Sequence, residues 1–535
     1  MFYITDSKFP SPNYGNNAKL INWPMLYILE NGKKAYVGES NRVIARMSEH
    51  LSKEEKKIFK KVHLIYSQEF NQSVTYDFEN RLIEFLIADE KYILTNKNKG
   101  FANKDYYKRP YYDNLFPVLW EQLREKKIAT KHFDQIRNSD LFKYSPYKAL
   151  NEGQFNAVED IIKYIEKDYE RPIIVEGMPG SGKTIVAVYL FKYLKDYEDE
   201  QGNPRYKDKK MAIVVPQTSL RKTLKSLFKQ IDGLMAKDVI SPSAVATTKY
   251  DILLVDEAHR LRRRKNIANM GAHGENNRRL NLSKDATELD WILTQCKCPI
   301  LFFDSDQVIG PSGVSAELMD EKLNERFQKR MIAYYKLSSQ MRIIGGNGYI
   351  DYLKELLYSK PDKKQIFDKY EFKIVDSFSK FEKLLRKKEE EYELCRMVAG
   401  YAWPWVSKKN KQLKDIKIEN SERMWNNRTD NWVHCENAIN EVGCIHSVQG
   451  YDLNYGFVIL GEDIRYDKVE RAVVADKSQY YDMNGKRTAA DEELNQYIKN
   501  IYYVLMTRGI RGTYLYVCDQ VLKEYLEQYI EKYHE

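Results

Sequence analysis

A chain of 535 residues exceeds what one hydrophobic core can hold, so two or three packed units of roughly 100 to 200 residues each are expected. Its composition, 43% hydrophobic and 30% charged, excludes a largely disordered chain, and a net charge of +9 suits a polyanionic partner without proving one. Six cysteines with neither zinc-ligand nor disulfide spacing exclude a secreted disulfide scaffold, and the lack of any run of 18 apolar residues or of a basic-then-apolar leader predicts a cytoplasmic chain without membrane contact.

In chain order, the first strong signal is residues 25–38, MLYILENGKKAYVG, two alternating apolar runs around Asn31-Gly32. A two-residue turn there places Tyr27 directly opposite Tyr36. The helix ESNRVIARMSEHL follows, with Arg46 and His50 four apart on one face. A second helix, DFENRLIEFLI, buries Phe78, Leu82, Phe85 and Leu86 and carries Glu79 near its start. Residues 106–149 read as a helical connector. From residue 172 onward, PIIVEG, MAIVVP, DILLVDE and PILFFD are short apolar runs separated by longer segments, the pattern of a buried parallel sheet. GFVILG and TYLYVCD repeat that pattern further on and predict a second α/β layer.

Gly177 to Thr184 reads GMPGSGKT, a phosphate-binding loop complete at each fixed position and lying between a strand-like and a helix-like segment. Gly177, Gly180 and Gly182 free the backbone amides to wrap phosphate oxygens, Lys183 supplies a point charge, and the Thr184 hydroxyl suits Mg²⁺. DILLVDEAHR ends a strand in two carboxylates, as expected where Asp256 holds Mg²⁺ and Glu257 activates water. ATP hydrolysis is the expectation. Behind it, RLRRRKNIANMGAHGENNRRLN is a basic run that reads equally well as a nucleic-acid contact and as a solvated loop.

Residues 150–535 resemble superfamily 1 helicases, in particular the Schlafen-group-3-like helicase domain. LNEGQ resembles the glutamine motif, making Gln154 an adenine contact. VVPQTSLRKTL resembles a nucleic-acid backbone motif. FFDSDQ matches the coupling motif and implies Asp304 and Gln307 near the γ-phosphate. LSSQMR is similar to the motif that brings an arginine, here Arg342, to the phosphates. IHSVQGYD resembles the motif linking nucleotide state to strand grip, and VLMTRGIRG supplies Arg508 and Arg511. MVAGYAWPW and the tryptophans of MWNNRTDNW resemble that narrower family alone.

Residues 23–102 resemble the GIY-YIG nucleases, with Met25-Leu26-Tyr27 in place of the first three letters. The resemblance implies that a tyrosine, Tyr27 or Tyr36, or a neighbouring group deprotonates water, that Arg46 stabilises the pentavalent phosphate, that His50 belongs to the same catalytic set, and that Glu79 holds one divalent metal, with Asn96 a weaker match. The bland alternative treats the tyrosines as ordinary sheet aromatics and Arg46 and Glu79 as surface charges. The expected architecture is α/β: a small α+β GIY-YIG domain at 1–105, a helical connector at 106–149, and two RecA-like doubly wound parallel-sheet lobes at 150–335 and 336–535. The expected function is an ATP-dependent translocase or helicase coupled to a metal-dependent endonuclease, with ATP and Mg²⁺ as cofactors. DNA is favoured over RNA, antiviral restriction is a plausible role, and an oligomer or partner protein is open. A nucleic-acid-sensing ATPase switch with a binding-only N-terminal domain, and an RNA-directed helicase nuclease, stay open as alternatives.

Overall fold

The structure, a computed structural model, describes residues 2–10, 22–97, 105–148, 150–168, 170–198, 201–265, 267, 269–327, 332–428 and 431–534. The chain divides into two compact units. One comprises Met1–Lys163, Thr184–Ile213 and Arg221–Ile240, and the other Tyr164–Lys183, Val214–Leu220 and Ser241–Glu535.

In the first unit a five-stranded sheet runs in the order β1-β4-β2-β3-β5, where β1 is Phe2–Lys8, β2 Met25–Glu30, β3 Lys34–Ser40, β4 Lys61–Ser67 and β5 Ile93–Leu94. All its pairings are antiparallel except β3 with β5. Helix α1, Val43–Ser52, buries Val43 and Met47 with Tyr27, Leu29, Val62 and Leu64 of the strands in one cluster. Helix α2, Gln72–Asp89, starts five residues earlier than the sequence pattern suggests, because the Asn71 side chain accepts from the amide of Val74 and caps it. The predicted stripe of Phe78, Leu82, Phe85 and Leu86 is buried. Phe78 and Phe85 meet Phe116 of helix α3, Arg109–Glu125, edge to face at 5.2 and 5.0 Å. The predicted connector therefore packs as a layer of the same unit.

The hairpin register corrects the expected tyrosine pairing. Tyr27 stands opposite Gly38, and Tyr36 opposite Leu29, with Glu30 paired to Ala35. The turn is two residues longer than an Asn-Gly turn because Asn31 folds its own loop: its Oδ1 accepts from the amides of Lys33 at 3.1 Å and Lys34 at 2.8 Å. Only Gly32 in that turn has positive φ, which rules out the tight turn with two left-handed residues. The parity of the shift is even, so both phenols still project from the same face. They are diagonal neighbours, with ring centroids 6.3 Å apart.

Strand β5 ties this sheet to a later part of the chain. The amide of Leu94 donates to Gln230 O and the amide of Asp232 donates to Leu94 O, both at 2.9 Å, and Lys34 pairs with Asp232 at 2.9 Å. Just beyond it the buried Asn96 side chain completes both backbone bonds of Val37: Oδ1 accepts from its amide and Nδ2 donates to its carbonyl.

The second unit contains parallel strands at its nucleotide end. Strand β6, Ile173–Gly177, lies between Cys296–Phe303 and Ala333–Leu337, and Cys296–Phe303 also pairs with Tyr250–Val255. A second, six-stranded parallel sheet runs Val442–Gly443, Cys395–Ala399, Leu453–Leu460, Gly509–Val517, Glu371–Ile374, Glu531–Lys532. Its alternate residues enter different cores, Val398, Val458 and Leu515 on one face and Met397, Phe457 and Tyr514 on the other. That is the signature of a sheet covered by helices on both sides. Trp425 and Trp432 are core residues, and the Trp432 indole donates to Glu441 at 2.9 Å. Part of the basic run is a helix, Met270–Arg279, anchored where the Trp291 indole donates to the buried Asn277 side chain at 2.6 Å. Residues 266 and 268 of that run lie outside the described set. The cysteines are all free thiols, and no helix among the described residues is long and apolar enough to cross a membrane.

Asn96→Ala leaves a buried amide and a buried carbonyl of β3 without partners, each a loss of about 1–3 kcal/mol. The variant is expected to unfold the five-stranded sheet first, seen as early protease cutting within residues 22–97 at temperatures where the wild type resists.

Candidate active sites

The phosphate loop follows β6, and Lys183 opens the helix Lys183–Asp196. Gly180 and Gly182 take φ of +82° and +81°, the left-handed region where a side chain is strained. Lys183 is buried and its ammonium is fully engaged, donating to Gly177 O at 2.5 Å and Met178 O at 3.2 Å and pairing with Asp304 at 2.9 Å. Gln307 donates to the same Asp304 oxygen at 2.7 Å. The predicted trio of Lys183, Asp304 and Gln307 thus forms one hydrogen-bonded cluster.

The SQMR segment lies on the same loop. The amide of Met341 donates to Gly180 O at 2.9 Å, and a Cβ on Gly180 would meet Gln340 Oε1 at 2.9 Å and Arg342 Cβ at 3.0 Å. Arg342 is held beside the loop by an ion pair with Asp452 of the QGYD segment. Asp256 is completely buried at a strand end, its amide donating to Val214 O at 3.0 Å. Glu257 adopts φ +50°, and its carboxylate faces His259 Nε2 at 3.0 Å. Burial opposes the Glu257 charge, but His259 and the nearby Lys183 and Arg260 hold its pKa well below the usual carboxylate range. A loop with two left-handed glycines around a buried cation, now satisfied by carbonyls and a carboxylate that phosphate oxygens could replace, fits ATP.

Other predicted contacts are placed differently. Gln154 exchanges side-chain and backbone bonds with Asn151 at its helix start. Arg508 is buried and folds onto its own helix end, its Nε donating to Val504 O at 3.0 Å. The Arg511 guanidinium lies 4.9 Å from the Tyr392 ring. Residues that lie in the quoted segments but were not named individually line a cleft of about 620 Å³, among them Gln217, Ser219, Arg260, Arg262, Tyr401 and His446. Gln449 ties its walls together, accepting from Arg260 through its side chain and from the Gln217 amide group through its backbone. The motif segments containing Gln217, Tyr401 and Gln449 signalled this.

In the small sheet, Tyr27, Tyr36, Arg46 and His50 converge. Tyr27 is fully buried, its ring laid over Gly38 so closely that a Cβ there would sit 2.2 Å from it, and its hydroxyl is 2.8 Å from His50 Nε2. The His50 ring meets Tyr27 and Tyr36 at 5.6 and 5.3 Å. Burial raises both phenols, and for Tyr36 the Glu79 charge adds to it while Arg46 works against it. Burial disfavours the Arg46 charge, but bonds to Tyr27 and Glu49 outweigh that and fix it as a cation. His50 is pushed down to about 4 by burial, then by Arg46 and Lys56, so it is neutral near pH 7. Glu79 reaches this group through its charge and is half-buried on α2. Among the described residues no three carboxylate, histidine or cysteine side chains gather as a metal cage, so a divalent ion here would rest on the single carboxylate of Glu79 and on water.

The sequence pattern of the Schlafen group 3, DNA/RNA helicase domain matches residues 170–519. The chain belongs to that family. The GIY-YIG catalytic domain pattern matches residues 24–99, ahead of it. The family member therefore joins two enzymes, an ATPase of helicase type and an endonuclease, and it uses ATP, a divalent metal and nucleic acid. A relative in Saccharomyces cerevisiae, the uncharacterized protein YPL245W, is 24% identical over 444 residues, covering 75% of this chain and 93% of its own. Among solved structures, a Bacteroides Pif1 bound to ssDNA is 13% identical, covering 69% of this chain and 92% of its own, with a TM-score of 0.28. The helicase MrfA bound to DNA is 11% identical, covering 72% and 52%, with a TM-score of 0.30.

Two outcomes are expected. Lys183→Ala lowers strand-stimulated ATP hydrolysis by about 100-fold or more, measured as phosphate release. His50 takes up a proton more readily unfolded than folded, so it contributes stability above pH 6.5 that is lost as pH falls towards about 4. His50→Gln is expected to flatten that part of a melting-temperature profile.

Proposed function

We propose that this protein is an ATP-driven nucleic-acid translocase that delivers or licenses cutting by its attached endonuclease, acting on DNA in preference to RNA. The observation that carries the nuclease half is the convergence of Tyr27, Tyr36, Arg46 and His50 at one place on the small sheet, within reach of the Glu79 charge. We read residues 1–105 as the nuclease, 106–149 as its helical layer, and 150–335 and 336–535 as the two motor lobes. Mg²⁺ is the proposed metal in both centres, and restriction or defence against foreign DNA in the cytoplasm is the proposed setting.

In this reading Tyr27 is too buried to meet a substrate and serves with His50 to fix the floor of the site. The half-buried Tyr36, ionised to its phenolate by loss of its proton to solvent, is the base that takes a proton from water. As that proton moves, the water oxygen bonds to phosphorus, the bond to the leaving oxygen breaks, and the leaving oxygen takes a proton from solvent. Arg46 neutralises charge that develops on the phosphoryl oxygens. A divalent ion held at Glu79 supplies further positive charge when bound. In the motor, Asp256 and Thr184 hold the nucleotide's metal, Glu257 activates water, Gln154 reads adenine, and Arg342 senses the γ-phosphate. Arg342 next to Gly180 supports that last role, since ATP in the loop competes with Asp452 for it.

The test is metal-dependent cleavage of matched DNA and RNA strands, with and without ATP, by wild type, Glu79→Ala and Lys183→Ala. Expected are faster cutting of DNA, a loss of about 100-fold in Glu79→Ala, and loss of only the ATP-dependent part in Lys183→Ala. Wild type that cuts neither polymer, with Glu79→Ala indistinguishable from it, sinks the nuclease assignment. Strand-stimulated ATPase that survives Glu257→Gln removes Glu257 as the base.

A further inference from the structure

Arg262 is exposed on the wall of the 620 Å³ cleft, and its guanidinium has no carboxylate partner among the described residues. Its backbone, by contrast, is held on both sides. The Arg262 amide donates to Glu288 Oε2 and its carbonyl accepts from the Glu288 amide, both at 2.9 Å, while the amide of Arg263 donates to Ser312 O at 2.8 Å. Glu288 opens the helix Glu288–Gln295, which Thr287 and Asp290 close with a capping box. The basic run, whose sequence suits a contact and a solvated loop equally well, is therefore pinned where it meets the cleft.

The charge presented there is unbalanced. Arg260 is bonded to Gln449 and lies near Glu257, but Arg262 has neither. Enclosure by the cleft walls, then the charges of Arg260 and Arg262, push His446 down to about 4, so the two guanidiniums act on the cleft with one sign. Against them the lining sets the carboxylate of Asp482, whose oxygens already accept from the amides of Asn484 at 3.1 Å and Gly485 at 3.2 Å. The buried His259 ring also lines the cleft, and its Nδ1 has no hydrogen-bond partner among the described residues. Thr218 and Ser219 add the start of the helix Thr218–Lys229, where the first amides have no partner within the helix. Cations, free donors and a helix start in one open cleft suit the repeated phosphates of a polymer, and a guanidinium matches a phosphate in shape as well as charge.

We propose that Arg262 grips a backbone phosphate of a nucleic-acid strand lying in this cleft, which makes the segment behind Glu257 part of the strand-binding surface. The inference rests on the nucleic-acid reading above and deepens it, because it assigns this residue the backbone of the polymer and not its bases. Phosphate contacts position a strand without reading its sequence.

The experiment is equilibrium binding of fluorescein-labelled oligothymidylate to the full-length protein over a series of salt concentrations, without added divalent metal so that the strand stays intact. Wild type, Arg262→Ala, Arg262→Lys and Lys265→Ala are compared, since Lys265 is exposed on the same segment but does not line the cleft. Arg262→Ala is expected to bind about tenfold more weakly. Its slope of log affinity against log salt is expected to be shallower by about 0.7, the share of one phosphate on a single strand. A strand of mixed sequence is expected to show the same loss. Arg262→Lys keeps the slope and most of the affinity, and Lys265→Ala stays with wild type. An Arg262→Ala salt line that overlays wild type, or a Lys265→Ala loss as large as that of Arg262→Ala, overturns the proposal while wild-type binding leaves the nucleic-acid reading standing. Arg262→Lys with the slope of Arg262→Ala overturns it too, because damage at the site rather than a missing charge then explains both. Wild type that binds no strand sinks the nucleic-acid reading itself, and this proposal with it.

Discussion

Four parallel strands ending in one row are the constraint on which the motor's chemistry depends. Glu176 pairs with Phe303, Gly177 with Leu337, and Val255 with Leu301, so the chain leaves all four strands at nearly one level. The residues immediately beyond are the phosphate loop, Asp256 with Glu257, Asp304 with Gln307, and the segment carrying Gln340 and Arg342. Ile173–Val175, Ile252–Val255 and Pro299–Phe303 are apolar and buried, and no polar side chain can sit inside such runs without a partner. Polar chemistry is driven to the strand ends. The hydrogen bonds among Lys183, Asp304 and Gln307 follow from that edge geometry.

The nuclease solves a different problem. Its sheet is small and mostly antiparallel, and its site is on a face rather than at an edge. Gly38 lets the Tyr27 ring lie flat across the neighbouring strand, which buries that phenol and leaves Tyr36 nearer solvent. One of two chemically identical side chains is thus fully buried, and the other is left half-buried. Cations are distributed as unevenly: Arg46 is fixed by bonds to Tyr27 and Glu49, and Lys56 stands over a ring.

Much of the fold was legible because the information is local. The phosphate loop, the DE pair after an apolar run and the later strands are defined by spacing along the chain, and each lies where the spacing put it. The hairpin was legible in kind and in its shared face, and misread in register, because the Asn31 side chain replaces strand pairing with bonds to its own loop. The start of α2 was misread for a similar reason, a side-chain cap at Asn71 that outweighs the apolar pattern. The ring contacts of Arg511 and Lys56 were beyond sequence reading. Each takes an aromatic partner that lies distant in the chain, and such a contact leaves no spacing to detect.

The bonds between Leu94 and the Gln230–Asp232 segment give the nuclease a border that does not coincide with the end of its family pattern. A strand two residues long cannot satisfy its own backbone, and here its outer bonds come from a stretch of chain more than a hundred residues later. Gene fusion could join two complete cassettes, but this seam is woven after the join. Recombination that exchanged the motor for another would also remove the nuclease's outermost bonding partner. The two halves are therefore constrained to diverge together at this edge, and shuffling the cassettes between relatives carries a folding cost that cutting at residue 99 does not reveal.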